Sequence, residues 1–202
     1  MIIPKSISAR HNTAAELTLE CHATLGTTAT YSNSTPFAWS SAQTIVSGQG
    51  ATANIFGAGP VKYTISGGSA RLVTGIQSSQ VDFGIELSKK SSDSDVYLSW
   101  IGIMKRQPKF TFTTEDGELI TEIGDGQSVS AFASYFRAFT NFGQRVAAAT
   151  TSHVSVAATA GVIRPVRENM GFGKVVEGNF EFVPALNSTL LTISAAAAIP
   201  TT

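Results

Sequence analysis

Apolar and polar side chains alternate along much of the chain, and a period of two marks half-buried β-strands. Leu17, Leu19, Cys21, Ala23 and Leu25 fall on one side of an extended segment, with Thr18, Glu20, His22 and Thr24 on the other. Val81, Phe83, Ile85 and Leu87 alternate with Asp82, Gly84, Glu86 and Ser88, and Phe110 and Phe112 with Thr111 and Thr113. Near the end, Phe180 and Phe182 alternate with Asn179 and Glu181 until Pro184 stops the run, and Leu191 and Ile193 begin a further short one. Residues 96–103 are apolar on both faces, as in a strand buried on both sides. Between these runs, Ser88, Lys89, Lys90, Ser91, Ser92, Asp93, Ser94 and Asp95 form the polar tip of a hairpin. Such tips often carry contacts, so 88–95 is the candidate inter-subunit contact.

One stretch follows a different period. From Ser128, a good N-cap, Val129, Phe132, Phe136 and Phe139 recur at spacings of three and four, one face of an α-helix. Tyr135 and Phe142 widen the stripe, and Gly143 is a natural stop. The spacing predicts a helix over about 128–142, with Val129, Phe132, Phe136 and Phe139 packed on the core. The fold class is then mainly β: a sandwich or rolled, barrel-like sheet with one flanking α-helix.

Composition adds a reason to think of assembly. The 202 residues suit a single β-rich domain, and 43% hydrophobic content supports a packed core. Charged residues are only 14%, against about 25% in typical soluble proteins. Residues 23–61 carry no charge at all until Lys62, which sets a charge-poor part, 1–60, apart from the rest, 60–200. Surface of this kind is poor against water and reasonable between subunits. Lys plus Arg equals Asp plus Glu, 14 each, so the chain lacks the basic surplus of a groove-reading nucleic-acid binder and the charge that keeps copies apart. With one cysteine there is no internal disulfide, and the chain opens without a secretion signal or a membrane-spanning apolar run. A reducing cytoplasm is the expected folding compartment.

Catalytic chemistry finds little support. Cys21 and His22 are adjacent on an alternating strand and face opposite ways, so they form no nucleophile–base pair; a buried core cysteine is the common case. Pairing of Cys21 with the distant His153 is the weak alternative. Asp93 and Asp95 resemble the start of a calcium loop that lacks its downstream Gly and Glu. Glu115, Asp116, Glu118, Glu122 and Asp125 read as solvated turns or inter-subunit ion pairs. The basic stretch Lys105, Arg106, Lys109 reads as pairing with acidic groups on another copy in preference to phosphate. No catalytic, cofactor-binding or metal-binding residues are nominated, and the expectation is a non-enzyme.

The stretch from Ser79 to Leu87, the polar loop, Asp95-Val96-Tyr97 and then Gln107 to Thr114 resembles the major tail, or tail tube, proteins of long-tailed bacteriophages. The closing pattern, a strand over 180–183, then 190–194 and Ala198-Ile199-Pro200, is similar to the ends of such proteins, so the resemblance covers about 60–200. It implies a β-sandwich or rolled sheet with a flanking helix, copies that close into rings, commonly of six, and rings that stack into a hollow tube. It implies 88–95 as the inter-ring contact, other virion proteins as partners, passage of DNA through the lumen, no membrane, and a virion location after assembly in the host cytoplasm. The uncharged first third departs from that pattern. It leaves open a capsid decoration or other virion structural protein, and a surface β-domain in which Trp39 and Tyr31 stack on carbohydrate.

Overall fold

The aromatic stretch is a strand. In the computed structural model, which describes residues 1–22, 55–91, 100–123, 126–140, 143–169, 177–186 and 191–201, β9 runs Gln127–Phe139 as the longest strand. Phe132, Ser134, Phe136 and Ala138 turn inward at a spacing of two. Beside it lies β3 (Ile55–Ile65), pairing Thr64 with Ala131 but Ile65 with Val129. Ser130 is thus an extra residue in β9, a β-bulge that resets the phase so that Val129 and Phe132 both face inward three apart. The spacing of four from Phe132 to Phe136 is even, as a strand allows. Phe139, three further on, falls on the opposite face and is only half-buried. The predicted helix over 128–142 is therefore corrected: a bulge imitates helical spacing, and Val, Phe and Tyr favour the pleated surface. Of the proposed core face, Val129, Phe132 and Phe136 are core and Phe139 is not.

The other strands are β1 (Ile2–Arg10), β2 (Glu16–Cys21), β4 (Ala70–Val73), β5 (Ile76–Asp82), β6 (Ile85–Lys90), β7 (Trp100–Arg106), β8 (Lys109–Thr114), β10 (His153–Ala158), β11 (Gly161–Asn169), β12 (Glu177–Pro184) and β13 (Thr192–Ala197). Eleven of the strands make one antiparallel sheet, in which the order β13-β10-β9-β11-β12-β8-β5-β1-β2 is extended by β4-β3 along the other edge of β9. β10 and β11 keep one register along β9, from Val154 opposite Phe136 through Ala158 opposite Phe132 to Gly161 opposite Val129. They act as one long strand bent at 159–160.

The sheet curls on itself as a half-barrel, the rolled form of the expected β-fold. Strands distant in the order meet across its concave face. Phe132 on β9 stacks on Phe182 of β12 at 4.1 Å and meets Phe110 of β8 edge-on at 4.9 Å. Phe112 stacks on Phe180 at 5.4 Å. Ser79 on β5 and Ser134 on β9 share a buried hydrogen bond of 2.8 Å. Val61, Tyr63, Val81, Val156 and Ile163 fill the rest of this core. At about 1.5–3 kcal/mol for each buried large side chain, the inward Phe rows supply the main force for closure.

A short helix, α1 (Gly117–Glu122), plugs the core with Leu119, followed by the buried Ile123. Asp116 is its N-cap, accepting from the backbone N–H groups of Glu118 and Leu119. Arg71 of β4 grips Asp116, Glu118 and Glu122, and the Tyr63 hydroxyl donates to Glu122 at 3.3 Å. Asp116 and Glu122 are thus an internal cap and clamp, Glu115 and Glu118 are exposed as read, and Asp125 lies outside the described residues. Residues 192–197 pair with β10 in this chain's own sheet as β13, and Ile199 beyond them is buried.

Candidate functional site

The hairpin nominated for contacts leaves the main sheet as a separate two-stranded ribbon, β6 paired with β7. Its departure point is Gly84, with φ of 56°, where the Gln107 N–H donates to the Gly84 carbonyl at 3.0 Å. A Cβ at Gly84 would run into the Gln107 carbonyl, so only glycine lets the two backbones cross there. Ser88, Lys89 and Lys90 end β6, and Ser91 follows. Ser92, Asp93, Ser94 and Asp95 lie outside the described residues, as do Tyr31 and Trp39. Lys89 reaches back to Glu20 at 3.4 Å, and Lys90 lies 6.0 Å from the Trp100 ring centroid.

Of the stretch 96–103 read as doubly buried, 96–99 lie outside the described residues, and 100–103, which open β7, depart from that reading. Trp100, Ile103 and Met104 are exposed, Met104 at 72%, because the ribbon stands off the sheet with nothing described packed on its outer face. Lys105 pairs with Glu86 at 3.4 Å and Lys109 with Glu181 at 3.1 Å, so two members of the basic stretch are paired within this chain.

The sheet's edges form a second candidate surface. Among the described residues β2 pairs only with β1, and β13 only with β10. Leu17 and Leu19 on β2 and Ile193 on β13 are at least half exposed, and Cys21 is exposed instead of being a core thiol. Glu20 binds Lys5 and His22, each at 2.6 Å, and hydrogen bonding to Lys5 is the main cause that holds its carboxyl down to about 2. The root of this edge is therefore electrostatically tied to the ribbon through Lys89.

On the sheet's outer face, side chains of neighbouring strands line up in rows. Ser78 donates to the Thr113 hydroxyl at 3.0 Å, which donates on to Asn179 at 2.5 Å. One row along, Glu181 is buried, gripped by Arg164 at 2.6 Å and Lys109 at 3.1 Å. Burial alone would raise the Glu181 pKa, but hydrogen bonds from Arg164 and Lys109 and their charges outweigh it and keep it below the usual range. The sequence showed Glu181 as outward-facing; its burial followed from two cations on neighbouring strands, β8 and β11, a pairing that needs the register.

His153 is the one buried histidine among the described residues. Its Nδ1 accepts from the Ala138 N–H at 2.9 Å, and Nε2 lies 3.0 Å from the Ala147 carbonyl, which fixes the tautomer protonated at Nε2. Both nitrogens are engaged by backbone, so His153 has none left for a cysteine partner. Among the described residues no group of His, Cys, Asp and Glu is placed to hold a metal ion. No described helix is long and apolar enough to cross a membrane.

No protein-family model matches the chain, and the comparison with curated proteins found no relative.

Proposed function

We propose that the chain is a self-assembling virion structural subunit of the tail-tube kind, whose copies close into rings that stack into a hollow tube for passage of DNA. The observation that carries the reading is two edges of the sheet, β2 and β13, each paired on one side only among the described residues, with exposed Leu17, Leu19 and Ile193 on them. An open edge presents unpaired N–H and C=O groups and invites another strand; a closed ring of copies removes it. The standing ribbon β6–β7, with Trp100 and Met104 exposed, supplies a second contact directed away from the sheet, suited to the next ring. The low charge and zero net charge favour association over repulsion.

The test is light scattering and negative-stain microscopy on the purified chain, with rings or tubes expected above a threshold concentration. Leu19→Lys or Ala195→Lys, which charge the two edges, should leave the fold intact by circular dichroism and abolish the rings. Removing 88–95 should leave rings and prevent stacking. A monomer persisting over a wide concentration range refutes the proposal. Binding only to preformed capsids would indicate a decoration protein instead.

A further inference from the structure

At one end of the half-barrel the strand ends surround a cleft of about 740 Å³. Its walls come from the β1–β2 turn, the start of β3, the β4–β5 turn, the end of β9, the 143–148 segment and residues 199–201. Pockets that hold small ligands span about 300–1,000 Å³ and occur at the mouths of β-barrels. This one is built by six separated stretches of chain, which gives it a defined shape. Directly opposite Arg137 on β9 stands Gly57 on β3, and the Phe139 ring lies close over Gly57, where a Cβ would meet it at 2.9 Å.

The charge in the cleft has one sign. Arg10, His11, Arg137 and Arg145 line it, and among the described residues no Asp or Glu does. The ion pairs made by described arginines use Arg71 and Arg164, and none uses Arg137 or Arg145. Arg145 bridges to Phe139 through the backbone, which brings it beside Arg137 on the same strand end. Arg137 is held below its ordinary pKa by burial first and by the positive charge of Arg145 second. Arg137 is half-buried and Arg145 is exposed; their like charges repel, and a bound anion relieves that repulsion and the desolvation of Arg137. Around them, Ile55, Phe56 and Phe139 offer apolar wall.

We propose that this cleft is a binding site for a small organic anion, an oxyanion group gripped by Arg137 and Arg145 on an apolar body lying against Phe56 and Phe139. Phosphate and carboxylate share this chemistry. Guanidinium groups bind either one through paired N–H donors. The proposal does not depend on the assembly reading.

The test uses the full chain and calorimetric titration with phenyl phosphate, phenylacetate, inorganic phosphate and benzyl alcohol. Saturable binding at one site per chain is expected for phenyl phosphate or phenylacetate, and the tighter of the two identifies the group. Arg137→Gln and Arg145→Gln should each weaken it by about tenfold, the loss of one charge-assisted hydrogen bond. Arg137→Lys should retain part of the affinity, and Phe139→Leu should weaken phenyl phosphate more than inorganic phosphate. Benzyl alcohol should not bind. Thermal unfolding of each variant establishes that it is folded. The proposal is overturned if neither aryl anion binds up to about 10 mM, or if folded Arg137 and Arg145 variants bind as the parent does. It also falls if those variants lose self-association instead, which would make the cleft a contact between copies.

Discussion

Phe132 is the position where the strand reading of 127–139 meets its sharpest test. Its ring is 2% exposed and touches three other phenylalanines, Phe182 at 4.1 Å, Phe110 at 4.9 Å and Phe112 at 6.2 Å between centroids. Truncating a buried phenylalanine costs about 3–5 kcal/mol, and each aromatic pair is worth about 0.5–1.5 kcal/mol beyond area. Phe132→Ala should therefore fall at the upper end, about 4–5 kcal/mol. For a domain of about 5–15 kcal/mol total stability, that is a large fraction. Phe139→Ala removes a half-buried ring from the opposite face and should cost only about 1–2 kcal/mol. A helix would place both residues on one stripe and make their losses similar. Urea melts at equal protein concentration measure both, and thermal midpoints should drop by roughly 8–20 °C for Phe132→Ala. A Phe132/Phe182 double-mutant cycle should show coupling of about 1 kcal/mol. If Phe139→Ala costs as much as Phe132→Ala, or Phe132→Ala costs less than about 1 kcal/mol, the bulged-strand account is wrong.

Three further outcomes are expected. Ser79→Ala or Ser134→Ala alone leaves a buried hydroxyl unpaired and should cost about 1–3 kcal/mol in denaturant melts, while the double variant should cost less than the sum. Glu181 has a depressed folded-state pKa, so its stabilisation is whole above the ordinary carboxylate range and fades as pH falls through and below it. Midpoints against pH should drop less steeply below about pH 4 in Glu181→Gln than in the parent, and an unchanged acid limb would refute the Arg164–Lys109 clamp. Asp116→Ala removes the α1 cap and should cost about 1 kcal/mol, with Asp116→Asn restoring most of it; equal losses would show that the charge facing Arg71 matters more than the cap.

Strands with an unbroken period of two were legible because each residue's face follows from its neighbour's. Phe110, Phe112, Phe180 and Phe182 came out as core on that basis. β9 was not legible from its period, since one residue inserted at Ser130 turns a two-residue period into a three-residue step that imitates a helical turn. The hairpin was legible as two runs that pair, β6 with β7, although Ser88, Lys89 and Lys90 belong to β6 and residues 92–95 lie outside the described residues. The exposure of β7 was not, because alternation says which residues share a face and not whether anything covers it. The acidic cluster misled for a similar reason. Its partner, Arg71, is 45 residues from Asp116 and meets it only through the pairing of β4 with β3.

The scarcity of charge takes on a sharper meaning once the ion pairs are placed. Glu20 ties β1 and β2 to the ribbon, Arg71 ties β4 to α1, and Glu181 ties β8 and β11 to β12. Each clamp joins elements within the chain, where a carboxylate is worth more than on open surface because its partners are fixed and partly desolvated. What is left for the edges is meagre: β13, Thr192–Ala197, has no charged residue, no proline and no lysine to repel a second strand. Isolated β-proteins guard such an edge with charge, proline or a covering loop. On the assembly proposed above, β13, which among the described residues pairs only with β10, is an edge to which a second copy of the chain would add a strand.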